Sequence, residues 1–437
     1  MADDNQINSV NQHYLDKVMH LAESQDVKAT EDIFDARGMK LVAKGAKISR
    51  ALQERLLQRR LSKPFEASIA VEEGVDVRVI QREAESIIET VDPVRSVIKA
   101  LNSGPSPIQV LSEIQFGSAI STMLTIIQRG GQQALSHSVM VSLLSIALAR
   151  KRGLGVADQS VVALAGLLHD IGELYIEPAY LKSRRRLYPH EWRHVVVHPR
   201  IGQMLISGLE HYPAAVAQAV FEHHERLDGS GYPRRVSGNA ISVPGQVVSV
   251  AELLSGVFME KSEPLQRAEL ALKIIPGEHA RELVSAVSSA MHEACGGRVP
   301  HAAAPTGEEQ DQVRRLRERI GNAIGSAQCL ADGGTIRSKR GMSMLQDLIG
   351  RAAGIQRAFI STGLDACIEG DDIFSSGDAQ ILFETAVATR EIQWRLRDVA
   401  RELSLQSDEL DESDQASMQE LIAVLDGERQ DLSTAAA

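Results

Sequence analysis

The histidines of this chain are concentrated in one stretch. Of the 13 histidines, the members between residues 137 and 224 are His137, His169, His190, His194, His198, His211, His223 and His224. A single histidine is more often an ordinary core or surface residue than a metal ligand, but imidazoles grouped with carboxylates are typical of transition-metal sites. The clustering therefore favours a metal centre.

Some of these histidines stand beside another potential ligand. His169 and Asp170 end the apolar run VVALAGLLHD, where a buried polar pair is costly unless its groups are satisfied. Metal coordination satisfies both groups, and the two oxygens of one carboxylate can bridge two ions. His223 and His224 begin the segment HHERLDGSGYP, and Glu252 lies on a later apolar helix, VVSVAELLSGV. Together they strengthen the prediction of a metal site.

The types of ligand narrow the chemistry. Several imidazoles with few carboxylates suit Fe, Mn, Zn or Ni better than Ca or Mg alone. Two such ions lower the pKa of a bridging water, produce hydroxide at neutral pH and bind the oxygens of a phosphate. This combination points to hydrolysis of a phosphate ester.

Individual histidines also have ordinary explanations. His190 and His194 lie in the polar stretch YPHEWRH and are expected to be solvated. His137 could simply lie near the start of a helix, and His198, which precedes a proline, could end one. Only the group as a whole favours the metal site.

Helices must position these residues. From about 108 to 298, apolar residues recur at helical spacing in SAISTMLTIIQR, HSVMVSLLSIALARKR and QSVVALAGLLHDIGEL. No long strand-like alternation intervenes, so an all-α bundle is predicted. We expect three parts: an N-terminal region at 1–105, this helical domain at 106–300 and a C-terminal helical region at 301–437.

The flanking regions have their own patterns. EDIFDARGMKLVAKGAKIS predicts a small β-hairpin and RALQERLLQRRL a helix. In the last region a heptad-like seam comprises Leu382, Thr385, Thr389, Ile392, Leu396, Val399 and Leu403. The seam predicts either a helix that packs within its own domain or a coiled coil that forms a homodimer. The tail DGERQDLSTAAA is expected to be disordered.

Composition sets the broad class. With 47 basic and 58 acidic residues the net charge is −11, so no nucleic-acid polymer is expected as a partner. Cys295, Cys329 and Cys367 have no metal-ligand spacing and fit a reducing compartment. We find no signal-peptide pattern at the N-terminus and no apolar run of about 20 residues that predicts a membrane span. A cytoplasmic location is expected.

Taken in order, the motifs resemble those of a known family. His137, HDIG at 169–172, HPRIG at 198–202 and HHERLDGSGYP at 223–233 resemble the HD-GYP family, a subset of the HD phosphohydrolase superfamily. The resemblance covers roughly residues 108–298, and the segment 31–62 also looks like leaders that precede such domains. It implies an all-α HD fold that hydrolyses the bacterial second messenger cyclic di-GMP to pGpG or GMP.

The resemblance also implies a set of site residues and a cofactor. The implied metal ligands are His137, His169, Asp170, His198, His223, His224 and Glu252, the last standing where the family usually has Asp. His169 and Asp170 are the implied catalytic residues, and the implied ions are iron or manganese. The implied substrate-binding residues are Asp228, Gly229, Gly231, Tyr232, Pro233 and Lys261. Gly229 and Gly231 are expected to allow the tight loop that brings Tyr232 beside the histidines.

The sequence departs from the family pattern in ways that bear on catalysis. Glu173 replaces the lysine of HDIGK, and a negative charge there is expected to repel a phosphate unless it is protonated or turned away. Gln133 stands where members with three metals have a glutamate, so two metals are expected. Lys261 begins a Lys-Ser-Glu segment in place of the family's RPY, and it retains one positive charge without the bidentate fork of arginine.

Two functions are consistent with these patterns. The first is a metal-dependent phosphodiesterase acting on cyclic di-GMP or a related cyclic dinucleotide. The second is a weakly active or inactive regulatory module that binds nucleotide, or binds partner proteins such as diguanylate cyclases through the GYP loop. Six family ligands with an acidic seventh, and the intact GYP loop, favour the first function, whereas Glu173 and the missing RPY segment favour the second. A helical scaffold stabilised by metal is a third, less informative alternative.

Overall fold

The computed structural model describes residues 9–101, 104–130, 134–182, 187–209, 211–259, 263–296, 307–362 and 379–427. They fall into two compact units. The first unit comprises residues 1–185, 194–261 and 279–294, and the second comprises 186–193, 262–278 and 295–437. The predicted boundaries near 105 and 300 stay predictions.

Helices account for most of the described chain, which confirms the predicted all-α class. In order they are α1 (Gln12–Ala22), α2 (Gln53–Leu57), α3 (Val77–Thr90), α4 (Asp92–Leu101), α5 (Pro107–Ser112), α6 (Ser118–Arg129), α7 (Ala134–Lys151), α8 (Val156–Leu168), α9 (Trp192–Val195), α10 (His198–Leu209), α11 (Ala214–Glu222), α12 (Val243–Phe258), α13 (Pro264–Lys273), α14 (Arg281–Cys295), α15 (Gly307–Asp332), α16 (Lys339–Ser361), α17 (Ala379–Ser407) and α18 (Glu412–Asp426).

The N-terminal part of the first unit contains two antiparallel strand pairs. Strand β2 (Ile33–Phe34) pairs with β3 (Lys40–Val42), and β1 (Val27–Ala29) pairs with β4 (Ile69–Val71). Gly38 turns between β2 and β3 with φ of +82°, a conformation that glycine adopts without strain. The predicted hairpin is confirmed.

The helix predicted from RALQERLLQRRL is shorter than expected. It consists of a 3₁₀ turn at Arg50–Leu52 followed by α2. Arg60 and Leu61 instead form β-bridges with Ser9 and Asp35. Tertiary pairing of the backbone therefore overrides the local helical pattern.

The centre of the first unit is formed by α7, α8 and α12, which pack on one another. Every residue from 138 to 149 of α7 is buried, as expected of a helix that is apolar on all sides. Within the described residues no single helix has the length and apolar composition to cross a membrane, whereas α6 and α7 meet that test only together, as a pair bent by 118°.

Two of these central helices approach each other closely at Gly166 of α8. A Cβ added at Gly166 would lie 2.8 Å from the Cα of Ser142 on α7. The hydroxyl of Ser142 donates a hydrogen bond to the carbonyl of Ala163 at 2.6 Å. The absence of a side chain at residue 166 therefore sets the separation of α7 and α8.

In the second unit, α15, α16, α17 and α18 pack on one another around an apolar core. The heptad-like seam lies on α17, and all of its members are buried, from Ile392 and Leu396 at 0% exposure to Thr385 at 9%. The seam thus packs within its own unit. The homodimer stays a prediction.

We expect Gly166→Ala to lower the thermal unfolding temperature, because the added methyl group would force α7 and α8 apart. Overpacking of this kind costs about 1–3 kcal/mol. Gly256→Ala is the matched control, since Gly256 is exposed on α12 with no atom within 4 Å of an added Cβ. The control is expected to stabilise the protein by about 0.5–1 kcal/mol. Equal effects of the two substitutions would contradict this role of Gly166.

Candidate metal centre

The ends of several helices, together with two helix interiors, bring the predicted metal ligands together in the first unit. His169 and Asp170 follow the last residue of α8, and His198 is the first residue of α10. His223 and His224 follow α11 in the same way. The interior positions are His137 on α7 and Glu252 on α12.

The ligand atoms fall into two groups, and within each group they lie within 4.8 Å of one another. The first group comprises Asp170, His198, His223 and His224, and the second comprises His137, His169 and Glu252. Imidazole nitrogens and carboxylate oxygens in such groups are a donor set for transition-metal ions. The role of these residues as ligands stays a prediction.

The carboxylate of Asp170 faces both groups. Its Oδ2 lies 3.0 Å from Nε2 of His169 and 3.8 Å from Nε2 of His137. Its Oδ1 lies 3.4 Å from Nε2 of His198 and 3.7 Å from Nε2 of His223. One carboxylate thus offers one oxygen to each group, which is the arrangement that a bridging ligand requires.

Three of the imidazoles are oriented by the same backbone contact. Nδ1 of His169 donates to the carbonyl of Gly166 at 2.9 Å, and Nδ1 of His198 donates to that of Val195 at 2.9 Å. Nδ1 of His223 donates to the carbonyl of residue 220 at 2.6 Å. In each case the acceptor lies three residues earlier in the chain. Nε2 of each ring is therefore left facing the site, as metal-binding histidines require.

Two buried polar atoms in the second group make no hydrogen bond of normal geometry, although both make ion-pair contacts. They are Nε2 of His169 and Oε2 of Glu252, and they lie 3.1 Å apart. Buried polar atoms without a well-formed hydrogen bond are costly. A divalent cation coordinated by both atoms would satisfy them, so the residues present fit a metal ion.

The electrostatic environment of the first group favours the neutral form of two of its imidazoles. Burial lowers the pKa of His223 to about 4, and burial followed by the proximity of His223 lowers the pKa of His224 well below its ordinary value. Both rings are thus neutral at pH 7, the state in which imidazole binds a metal.

The second group instead favours a positive charge. Burial lowers the pKa of His169, but the charges of Asp170 and Glu252 outweigh burial and raise the pKa well above its ordinary value. Burial opposes ionisation of the two carboxylates, yet the neighbouring imidazoles hold the pKa of each well below its ordinary range. A bound cation would supply the positive charge that this group favours.

Glu173, in the place of the family lysine, belongs to the same electrostatic environment. Burial, followed by the charge of Asp170, raises the pKa of Glu173 to about 7. Its backbone lies in the 3₁₀ helix Ile171–Tyr175, directly after the ligand pair. Its carboxyl group is therefore partly protonated near neutral pH.

Ser255 is a site residue that motif reading did not reveal. Its buried hydroxyl lies 2.9 Å from Nδ1 of His137 and so helps to set the direction of Nε2, which lies 3.0 Å from Oε2 of Glu252. Ser255 follows Glu252 by three residues on α12, so the two share one helix face. That spacing is the signal that could have identified it.

The loop that follows the histidine pair places Tyr232 against the first group. The ring of Tyr232 stacks on that of His224, with centroids 4.5 Å apart and an angle of 22° between the planes. Gly229 has φ of +81°, and a Cβ at Gly231 would collide with the carbonyl oxygen of His224. Both glycines are thus needed for this loop, as the sequence predicts.

Two buried glutamates, which were also not predicted, fix this loop. Glu225 accepts hydrogen bonds from the backbone N–H groups of Arg234 at 2.7 Å and Val236 at 3.2 Å. Glu222 accepts from the guanidinium of Arg234 at 2.7 Å and from the backbone N–H of Ser242 at 2.9 Å. The loop is thereby tied at several points to the end of α11.

The remaining residues singled out from the sequence belong to neither group or lie outside the described part of the chain. Asp228 is exposed and accepts hydrogen bonds from the N–H and hydroxyl of Ser230, at 3.0 and 2.6 Å. His190 and His194 are exposed, as expected of solvated histidines. Lys261, predicted to bind substrate, and Gln133, predicted to limit the number of metals, lie outside the described residues.

Comparison with known proteins bears on the family. A family model described as HD domain matches residues 121–281. This range includes all seven predicted ligands. Residues 121–281 thus match an HD domain, which confirms the resemblance stated from the motifs.

Among curated proteins, the chain is 33% identical over 125 residues to 3'3'-cGAMP-specific phosphodiesterase 3 of Vibrio cholerae, covering 29% of this chain and 27% of the relative. It is 33% identical over 125 residues to a cyclic di-GMP phosphodiesterase of Pseudomonas aeruginosa, covering 29% of this chain and 30% of that relative. The chain therefore spans less than a third of the length of these relatives. A solved HD-GYP-type protein from Bdellovibrio bacteriovorus is 18% identical with a TM-score of 0.33, covering 60% of this chain and 94% of that chain.

We expect Mn²⁺ added to chelator-treated protein to raise the thermal unfolding temperature, because a ligand that binds the folded state alone stabilises it, by about 2.7 kcal/mol at 100 times the Kd. Asp170→Asn, which removes the charge shared by both groups at constant size, should abolish most of that increase. His211→Ala is the control, since His211 is exposed and belongs to neither group. A normal Mn²⁺ response in Asp170→Asn would contradict the bridging role.

Proposed function

We propose that the HD domain hydrolyses a phosphodiester bond of a cyclic dinucleotide, with cyclic di-GMP as the substrate and pGpG or GMP as the product. The observation that carries this proposal is the single carboxylate of Asp170 between two groups of potential ligands. A paired metal site of this kind suits displacement at phosphorus. The names of the two relatives, which specify cGAMP and cyclic di-GMP, support the class of substrate.

The proposed cofactor is a pair of divalent ions, iron or manganese, held by the two groups. When bound, the pair supplies Lewis-acid activation of a water and of the phosphodiester. The ligands to the pair are His137, His169, Asp170, His198, His223, His224 and Glu252. His169 and Asp170 are the proposed catalytic residues, since Asp170 holds both positions in a fixed relation.

The protein's own contribution is to orient these groups and the substrate. The Nδ1 hydrogen bonds of three histidines hold the ring planes before any ion arrives, so little reorganisation is needed. Tyr232, stacked on His224, presents an aromatic surface at the border of the site, where a base or ribose of the substrate can pack. The loop from Asp228 to Pro233 is the proposed edge of the substrate pocket.

A second candidate function is favoured by Glu173. An acidic group beside Asp170 weakens the attraction for a phosphate when it is ionised. Burial raises the pKa of Glu173 to about 7, so part of the population still carries the negative charge near neutral pH. A slow or inactive HD-GYP module that binds nucleotide, or a partner such as a diguanylate cyclase, is compatible with this feature. The predicted cytoplasmic location and the lack of a nucleic-acid polymer as partner stay predictions under both functions.

The direct test incubates cyclic di-GMP, and separately 3'3'-cGAMP, with the protein and Mn²⁺ or anaerobic Fe²⁺, and separates the products by chromatography. We expect linear pGpG or GMP from cyclic di-GMP, and loss of product in Asp170→Asn. If the protein binds metal and cyclic di-GMP but forms no product, the regulatory module is the correct function. If it binds no metal, the metal-dependent enzyme is excluded, and binding of cyclic di-GMP without metal would then support the regulatory module.

Substitution of Glu173 separates the two functions further. If the protein is an enzyme, Glu173→Lys should raise kcat/KM by about tenfold, because it replaces repulsion of the phosphate with attraction. Glu113→Lys makes the same change in net charge at an exposed position on the first unit and should have little effect. An unchanged or lower kcat/KM in Glu173→Lys would contradict the proposed electrostatic role of Glu173.

A further inference from the structure

The N-terminal helix contacts the backbone directly after the ligand pair. Lys17 of α1 donates hydrogen bonds from Nζ to the carbonyl oxygens of Glu173 at 3.3 Å, Leu174 at 2.8 Å and Ile176 at 3.3 Å. An ammonium group has three N–H donors, and here each has an acceptor. Lys17 thus binds three carbonyls at the end of the 3₁₀ helix Ile171–Tyr175, and the carbonyl of Glu173 also accepts a hydrogen bond from the backbone N–H of Ile176 at 3.2 Å.

Other side chains hold the same 3₁₀ helix from the N-terminal side. The ring of Tyr14 on α1 stacks on that of Tyr175, with centroids 5.1 Å apart and planes 8° apart. The hydroxyl of Tyr175 donates a hydrogen bond to the buried carboxylate of Glu66. Two separate segments before residue 105 therefore fix this helix, although neither segment contains a predicted metal ligand.

On its opposite side the 3₁₀ helix fits closely against α10. A Cβ added at Gly172 would collide with the carbonyl oxygen of His198 and would lie 2.9 Å from the backbone nitrogen of Gly202. The backbone at residue 172 therefore rests on the backbone of a predicted ligand. A movement of this helix would change the separation of Asp170 and His198, whose Oδ1 and Nε2 lie 3.4 Å apart.

We infer that Lys17 is a positioning residue for the metal centre, acting through the 3₁₀ helix that it holds against α10. Metal–nitrogen and metal–oxygen bonds tolerate deviations of only a few tenths of an ångström. Holding the carbonyls of residues 173, 174 and 176 therefore controls how well Asp170 can serve both groups. The N-terminal region is in this way a structural part of the site. The catalytic consequence rests on the proposed function, whereas the consequence for metal affinity does not.

The test compares Lys17→Met with Lys17→Arg and Lys47→Met in the full-length chain. Methionine retains the length of the side chain but donates no hydrogen bond, whereas arginine restores a cation with several donors. Lys47 is the control, since it is exposed in the same region and its ammonium group pairs with Asp26 in the described part of the chain. The measurements are the Kd for Mn²⁺ by calorimetry, kcat and KM for cyclic di-GMP, and the unfolding temperature.

In Lys17→Met we expect Mn²⁺ affinity about tenfold weaker and kcat about tenfold lower with KM unchanged, as for other residues that orient ligands. Lys17→Arg should recover part of both losses, and Lys47→Met should resemble the wild type. Wild-type Mn²⁺ affinity in folded Lys17→Met would overturn the inference, as would a loss that arginine does not relieve.

Two further outcomes separate the positioning role of Lys17 from a failure to fold and from a failure of the proposed function. If Lys17→Met does not fold, Lys17→Gln provides the test, because its neutral amide has two N–H donors for the three carbonyls that Lys17 binds; wild-type Mn²⁺ affinity there would likewise overturn the inference. If the wild-type chain hydrolyses no cyclic di-GMP but Mn²⁺ affinity still falls in Lys17→Met, the proposed function fails and the positioning role stands.

Discussion

The candidate centre depends on one repeated contact, the hydrogen bond from a histidine Nδ1 to a backbone carbonyl three residues earlier. It occurs at His169, His198 and His223, and each time it leaves Nε2 facing the carboxylate of Asp170. Each carbonyl lies at or beside a helix end, where backbone acceptors lack helical partners. The ends of the helices therefore orient the rings, and the packing of the helices determines where the rings meet.

That packing explains why the centre lies at the middle of the first unit. The central helices α7, α8 and α12 are apolar on most sides and must bury one another. Their close approach at Gly166 has a second consequence, because the carbonyl of Gly166 is the acceptor for His169. One glycine thus sets both the separation of α7 and α8 and the position of a ligand-orienting group, which couples core packing to the geometry of the site.

Much of the fold, and which residues meet at the candidate site, could be predicted from the sequence, and the rest could not, for physical reasons. Apolar periodicity revealed the helices, and ordered motifs revealed His137, Asp170 and the GYP loop because those signals are local. Lys17 carries no local signal, since its acceptors lie more than 150 residues away along the chain. The shortened α2 was mispredicted because Arg60 and Leu61 pair with distant backbone, which no local pattern records.

The net charge of the proposed metal centre shows how the ionisation of Glu173 would affect attraction for a phosphate. The seven proposed ligands include two carboxylates, so two divalent ions would leave about two positive charges, matching the two phosphates of a cyclic dinucleotide. An ionised Glu173 would remove about half of that excess, whereas a protonated Glu173 would leave it intact. Burial and the charge of Asp170 raise the pKa of Glu173 towards the protonated form, while bound cations would act in the opposite direction. Under the proposed function, substrate attraction would therefore depend on the balance between burial and metal charge at one carboxyl group, where the family lysine carries a fixed positive charge.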